Sequence, residues 1–325
     1  MTKNLSHPIF YFGKLPDFSD FVRHNASGDD VRALEQWIQE GLYLAARHFD
    51  RNWASLYKRA PAYHFLFASE NQASLLIGIF QPSHDKSERA YPFVVSRRMD
   101  SQGLPDRHVP LIPLAFRAFF RSSATLIHDG QNGLPLTEIT AGLDRLADDQ
   151  AHNFAASSGD FADFLRSMPQ DRFWGGLFGR FESPQKFSLI KNLFEILGSS
   201  LSSKFLGRTL GLRFPLSQND SFRYEEVSFW MNVCLKRLGK AWRVPSIFWP
   251  VSEKDSPPYL FLFLGQPSPK ALLPLMDPAS NHNIIYRLEG DAEETGSEPA
   301  PGLSLPYRSL LEIRNLTLKD FLEQL

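Results

Sequence analysis

Leu75–Phe80 reads Leu-Leu-Ile-Gly-Ile-Phe, six residues without a polar side chain. A strand with one face in water alternates apolar and polar residues. A run that is apolar throughout fits a strand covered on both faces. This one requirement puts a sheet in the middle of the molecule with helices on either side. Two neighbouring runs extend it. Tyr63–Ala68 alternates Tyr63, Phe65 and Phe67 with His64, Leu66 and Ala68, and Tyr91–Ser96 is a third strand in which Pro92 is tolerable near the start. Short connections make these three an antiparallel meander. Upstream, Ile9–Phe12 predicts a further strand, ended by Gly13 and Pro16.

Helical spacing begins at Asp29. Val31, Leu34, Ile38, Leu42, Ala45 and Phe49 recur at threes and fours, with Ser27 as a capping candidate and Asp29-Asp30 supplying N-terminal negative charge. A second helix is expected over Trp53–Lys58, stopped by Pro61. Pro110 and Pro113 open a helix carrying Leu114, Phe116, Phe119 and Phe120, and another follows with Leu136, Ile139, Leu143 and Leu146. The second half predicts helices at Phe161–Leu165, Phe187–Leu197, Val227–Leu238 and Leu272–Met276. Its strands are Thr209–Phe214, Val244–Trp249 and Tyr259–Leu264, the last two parted by a polar turn at Glu253-Lys254-Asp255.

The expected fold is therefore α/β: a layered mixed sheet covered by helices, with an antiparallel meander in the N-terminal half and a second α/β subdomain. The polar, small-residue stretch Ala147–Asp160 marks the seam. The expected units are an α/β domain over 1–150, an α/β subdomain over 151–280, a flexible acidic linker over 281–304 and an amphipathic segment over 305–325. The linker carries Glu289, Asp291, Glu293, Glu294 and Glu298 before Pro299 and Pro301. At the end, Leu318, Phe321, Leu322 and Leu325 share a face, with Thr317 as N-cap and Asp320 at the third helical position. So short a helix is not stable alone in water, so it is expected to dock on the body.

A chain of 325 residues with 43% hydrophobic content and 28 Phe buries a large aromatic core. A net charge of −1, from 35 basic and 36 acidic side chains, argues against nucleic-acid binding. Cys234 is the single cysteine, which rules out an intrachain disulfide or a cysteine zinc site; within its helix it reads as an inert buried thiol. The first residues contain no apolar signal core, and no apolar run is long enough to span a bilayer. A soluble, cytoplasmic protein without membrane insertion is expected.

Motifs for chemistry are sparse, and no cofactor is predicted. The nine histidines lack metal-ligand spacing, and Gly13-Lys14 lacks the upstream glycine and the following Ser or Thr of a phosphate loop. Gly175-Gly176 with Gly179 lacks the preceding strand and later acidic residue of a dinucleotide site. An enzyme reading is a metal-dependent hydrolase built from Asp17, Asp20 or Asp85 with His84. It requires these groups to converge in a pocket. The other reading is a binding protein. Two polar breaks in apolar strands, Gly13–Asp20 and Ser83–Pro92, form a charged rim of Lys14, Asp20, Asp85 and Arg89 if they lie side by side. An Asp20–Arg89 ion pair is the expected link between them.

Gly13-Lys14-Leu15-Pro16 followed by Asp20-Phe21-Val22 resembles the opening signature of the TagF (ImpM) proteins associated with type VI secretion systems. Pro82-Ser83, Asp85, Arg89 and Tyr91-Pro92-Phe93 resemble that family's second block. Pro245-Ser246-Ile247-Phe248-Trp249, with Pro258 and the Gly265-x-Pro267 pattern, is similar to a third block of longer members. The likeness runs from about Pro8 to Met276 and is strongest before Asp100. Ser19 and Glu88 stand where the family often has glycine, which restricts positive φ at both points. The resemblance implies a cytoplasmic accessory protein, not an enzyme, that represses the secretion machine post-translationally by binding its forkhead-associated scaffold protein. A structural component of the same machine is the alternative. Gly13, Lys14, Pro16, Asp20, Phe21, Asp85, Arg89, Tyr91 and Pro92 are the candidate interaction or loop-fixing residues.

Overall fold

The computed structural model describes residues 8–68, 70, 73–148, 153–200, 210–251, 258–290 and 302–325. In chain order it places β1 (Ile9–Gly13), β2 (Val22–His24), α1 (Asp29–Phe49), α2 (Trp53–Arg59), β3 (Tyr63–Ala68), β4 (Ser74–Gln81) and β5 (Phe93–Asp100). Helices α3 (Ile112–Ala115), α4 (Arg117–Gln131), α5 (Leu136–Asp148), α6 (Phe154–Ser167), α7 (Gln170–Phe178) and α8 (Gln185–Ser200) follow. The remainder is β6 (Gly211–Pro215), α9 (Arg223–Leu238), β7 (Ser246–Pro250), β8 (Tyr259–Phe263), α10 (Leu272–Met276), β9 (Ile285–Arg287), α11 (Leu305–Glu312) and α12 (Leu318–Gln324).

The nine strands of the described residues join one sheet, in the order β2-β1-β5-β4-β3-β7-β8-β6-β9. Every neighbouring pair is antiparallel except β6 and β9. The expected meander is β3-β4-β5. The sheet continues across the middle because β3 pairs with β7, Leu66 opposite Ile247 and Tyr63 opposite Pro250.

Period-two alternation sorts the side chains onto two faces. Phe10, Phe12, Tyr63, Phe65, Phe67, Phe80 and Phe248 face the layer formed by α1, α2 and α10. Tyr11, Leu66, Ile77, Ile79, Val95 and Trp249 face the thicker layer that includes α4, α5, α8 and α9. β4 is buried from Leu75 to Phe80, as a strand between two layers must be. Its Gly78 admits the neighbouring strand, since a Cβ there would stand 2.4 Å from the Val95 carbonyl oxygen.

Some local expectations change. Ser27 does not cap α1; Gly28 holds that position without a side-chain bond, and Asp30 Oδ1 accepts the Val31 amide while its carboxylate pairs with Arg98. The Gly175-Gly176 stretch lies inside α7, which stops at left-handed Gly179. The proposed seam is largely helical, since α5 reaches Asp148 and α6 begins at Phe154. The stretch assigned to the linker begins as ordered structure. β9 pairs with β6, and Glu289 is buried against Arg213, so its first ten residues belong to the body. The remaining linker acids, Asp291 to Glu298, and the Glu253-Lys254-Asp255 turn lie outside the described residues.

The C-terminal segment packs on α6, α7 and α9. Thr317 accepts the Asp320 amide as N-cap, and Leu318 and Phe321 are fully buried. The Leu318 amide donates to the Met168 carbonyl, and the Gln170 and Asp171 amides donate to the Leu316 and Arg314 carbonyls. Among the described residues no helix is long and apolar enough to cross a membrane.

Candidate interaction site

The two polar breaks do lie side by side. β1 pairs with β5, Phe12 opposite Val94, so the chain leaving β1 meets the chain entering β5. Gly13 makes the contact possible. Its φ is 133°, and a Cβ would fall 2.2 Å from the Pro92 carbonyl oxygen. Pro92 itself is buried beneath this turn. Leu15, fully buried, then anchors the first loop in the core, and Pro16 starts its return over α2.

The second break closes as a small hairpin. His84 bridges Ala90, the Tyr91 amide donates to the Ser83 carbonyl, and the Glu88 amide donates to the Asp85 carbonyl. At its tip Glu88 has φ 60°, a left-handed conformation where glycine is usual. The loop therefore keeps a glycine-like shape at Glu88 despite its side chain.

Asp85 organises both loops. Its side chain is fully buried, and Oδ1 accepts the amides of Ser87 and Arg89 at 2.9 and 3.0 Å. Oδ2 receives Arg89 Nε at 2.7 Å and Lys14 Nζ at 3.0 Å. Burial by itself pushes this carboxyl up. The Arg89 amide, the Lys14 ammonium, the Ser87 amide and the Arg89 guanidinium together outweigh burial and hold it well below the usual carboxylate range. Lys14 also donates to the Arg89 carbonyl at 3.2 Å, Arg89 Nη2 to the Ser19 carbonyl at 2.8 Å, and the Lys86 amide to the Phe18 carbonyl at 2.9 Å.

The expected Asp20–Arg89 link is thus replaced by Asp85–Arg89. Asp85 is four residues from Arg89 within one hairpin and already buried there, whereas Asp20 points to solvent and forms no side-chain bond among the described residues. Asp17 is exposed as well, and His84 Nδ1 is engaged with the Asp85 carbonyl at 3.0 Å. The hydrolase candidates are not assembled: two carboxylates face water and the third is neutralised by two cations. Among the described residues no three His, Cys, Asp or Glu side chains are placed to hold a metal ion.

Two surfaces result. On one side Phe21 is 41% exposed; its ring stacks on Phe12 and meets Tyr91 edge-on at 5.1 Å. On the other side, a cleft of about 650 Å³ opens between the hairpin, α2 and the end of α4. Trp53, Tyr57, Lys58, His128 and Gln131 line it. None was singled out from sequence, because α2 and α4 approach the hairpin only through the folded sheet. The sole local hint was an aromatic pair one helical turn apart, Trp53 and Tyr57.

A search among curated proteins matches none. A structural comparison pairs the chain with the crystal structure of PA0076 from Pseudomonas aeruginosa PAO1, at 12% identity and a TM-score of 0.47, covering 86% of this chain and 98% of that one. A family model described as TagF N-terminal domain, type VI secretion system-associated, matches residues 10–146, a span that holds both loops and the cleft. Residues 10–146 of the chain are thus similar to the N-terminal domain of TagF, a type VI secretion system-associated family.

Proposed function

We propose that the protein is a cytoplasmic, post-translational repressor of a type VI secretion system, and that it acts by binding the system's forkhead-associated scaffold protein. The observation that carries this reading is the Asp85 junction. It joins the two loops bearing the family's signature blocks into one rigid face, with Phe21 presented between them. A pre-ordered face loses little conformational freedom on association, and an exposed aromatic ring is a suitable anchor. The division into an N-terminal α/β domain, a C-terminal α/β subdomain, a linker and a tail is part of the same reading, with the N-terminal part carrying recognition.

Deletion of the coding sequence, scored by the amount of secreted tube protein, tests the role. A repressor predicts more secretion. Loss of secretion would instead identify a structural component of the machine. Phe21→Ala tests the face: scaffold binding should weaken by about 1–3 kcal/mol, while the melting temperature stays near that of the wild type.

A further inference from the structure

We infer that the cleft between the 82–92 hairpin, α2 and the end of α4 is a docking site for a protein partner's segment that presents an apolar side chain beside a carboxylate. This rests on the reading of the chain as a protein-binding accessory, and it adds a second contact distinct from the Phe21 face. The walls supply the apolar half. Trp53 and Tyr57 stand with ring centroids 5.1 Å apart, Pro16 and Pro82 lie alongside, and Ala54 leaves the mouth open. About 650 Å³ accommodates one or two side chains, and rigid rings and prolines lose little freedom when covered.

The rim supplies the charged half, and it is occupied in cis. Glu88 Oε2 lies 3.4 Å from Lys58 Nζ, and Oε1 lies 3.6 Å from His84 Nδ1. Glu88 is the carboxylate among the described residues lining the cleft, beside Lys58 and His84, and His128 lines the same cleft. Glu88 is brought there by a left-handed backbone, a conformation strained for a residue with a side chain. Both partners of the Lys58–Glu88 pair are about two-thirds exposed, so the pair holds the fold weakly and exchanges readily. Glu88 thus occupies the place of an incoming carboxylate. A partner acid that displaces it gains the Lys58 ammonium, while its apolar neighbour enters between Trp53 and Pro82.

Calorimetric titration of the full chain with the forkhead-associated scaffold protein tests the inference. Glu88→Gln frees the Lys58 ammonium without altering the side chain's size, and should tighten binding by about threefold to tenfold. Lys58→Glu, and Ala54→Gln at the exposed mouth, should each weaken it by about tenfold. Scaffold binding within about twofold of wild type in both weakening variants, each with an unchanged melting temperature, would overturn the docking site. Absence of scaffold binding by the wild type would count against the partner named above, and a second probe then decides the cleft. Acetyl-Trp-Glu-amide at about 10 mM, the range of a fragment contact, should shift the His84 and His128 ring resonances in the wild type but not in Ala54→Gln. Unmoved resonances in the wild type would remove the inference.

Discussion

Lys14 Nζ lies 3.0 Å from Asp85 Oδ2, bridging two loops that are far apart in sequence. The bond reaches a carboxylate with no exposed surface, already held by Arg89 and two backbone amides. Two cations and two amides on one buried carboxylate define a junction, and the two loops meet there.

Acid should open this junction. The Asp85 carboxyl is held below its unfolded value, so its contribution is fully present above about pH 4 and is lost as the pH falls further. Asp85→Asn should lower the melting temperature at pH 7 and flatten its dependence on pH below 4. Asp20→Ala should leave stability within about 0.5 kcal/mol. In double-mutant cycles Arg89 should couple to Asp85 and not to Asp20. Coupling to Asp20 would contradict the geometry.

Gly13→Ala should be far more costly than a surface change. The added methyl meets the Pro92 carbonyl and the Cα of Phe93, where β5 begins and pairs with Gln81 of β4, so that backbone has little room to withdraw. The φ of 133° adds strain for any residue with a Cβ. A loss of about 2 kcal/mol or more in urea unfolding is expected.

His64 makes a second pH dependence, in a different window. Its ring is enclosed by Phe120, Tyr224 and Trp249, with neither nitrogen hydrogen-bonded among the described residues. Burial, and secondarily the Arg223 charge, depress its value from 6.5 to about 3. The folded protein keeps the ring neutral while the unfolded chain binds a proton. Stability is therefore full above pH 6.5 and falls toward pH 3, with a limiting slope of about 1.4 kcal/mol per pH unit. His64→Phe should remove that slope between pH 6 and 4, as measured by urea midpoints, and keep the neutral-pH stability.

The C-terminal helix should behave as core. Phe321 is fully buried, its ring edge-on to Trp174 at 6.2 Å. Phe321→Ala should cost about 3–5 kcal/mol. A loss below about 1 kcal/mol, the surface range, would mean that the helix is a detachable arm.

Apart from the short β2 and β9, strand identity and face assignment were written in the sequence. Tyr63, Phe65 and Phe67 fall on one face of β3 and His64, Leu66 and Ala68 on the other because side-chain direction follows local alternation. The stripe of α1 and the Thr317 cap are local in the same sense. Tertiary structure alone decided the rest. β3 pairs with β7, and short β9 joins β6 in parallel, because free strand edges take the partner that packing delivers. Nothing within a strand names that partner. Arg89 chose Asp85 over Asp20 because an ion pair follows burial and backbone geometry, and residue types alone give both carboxylates equal standing. The cleft has the same origin. Its walls come from segments distant along the chain, and their chemistry exists only once the sheet has brought α2, α4 and the hairpin together.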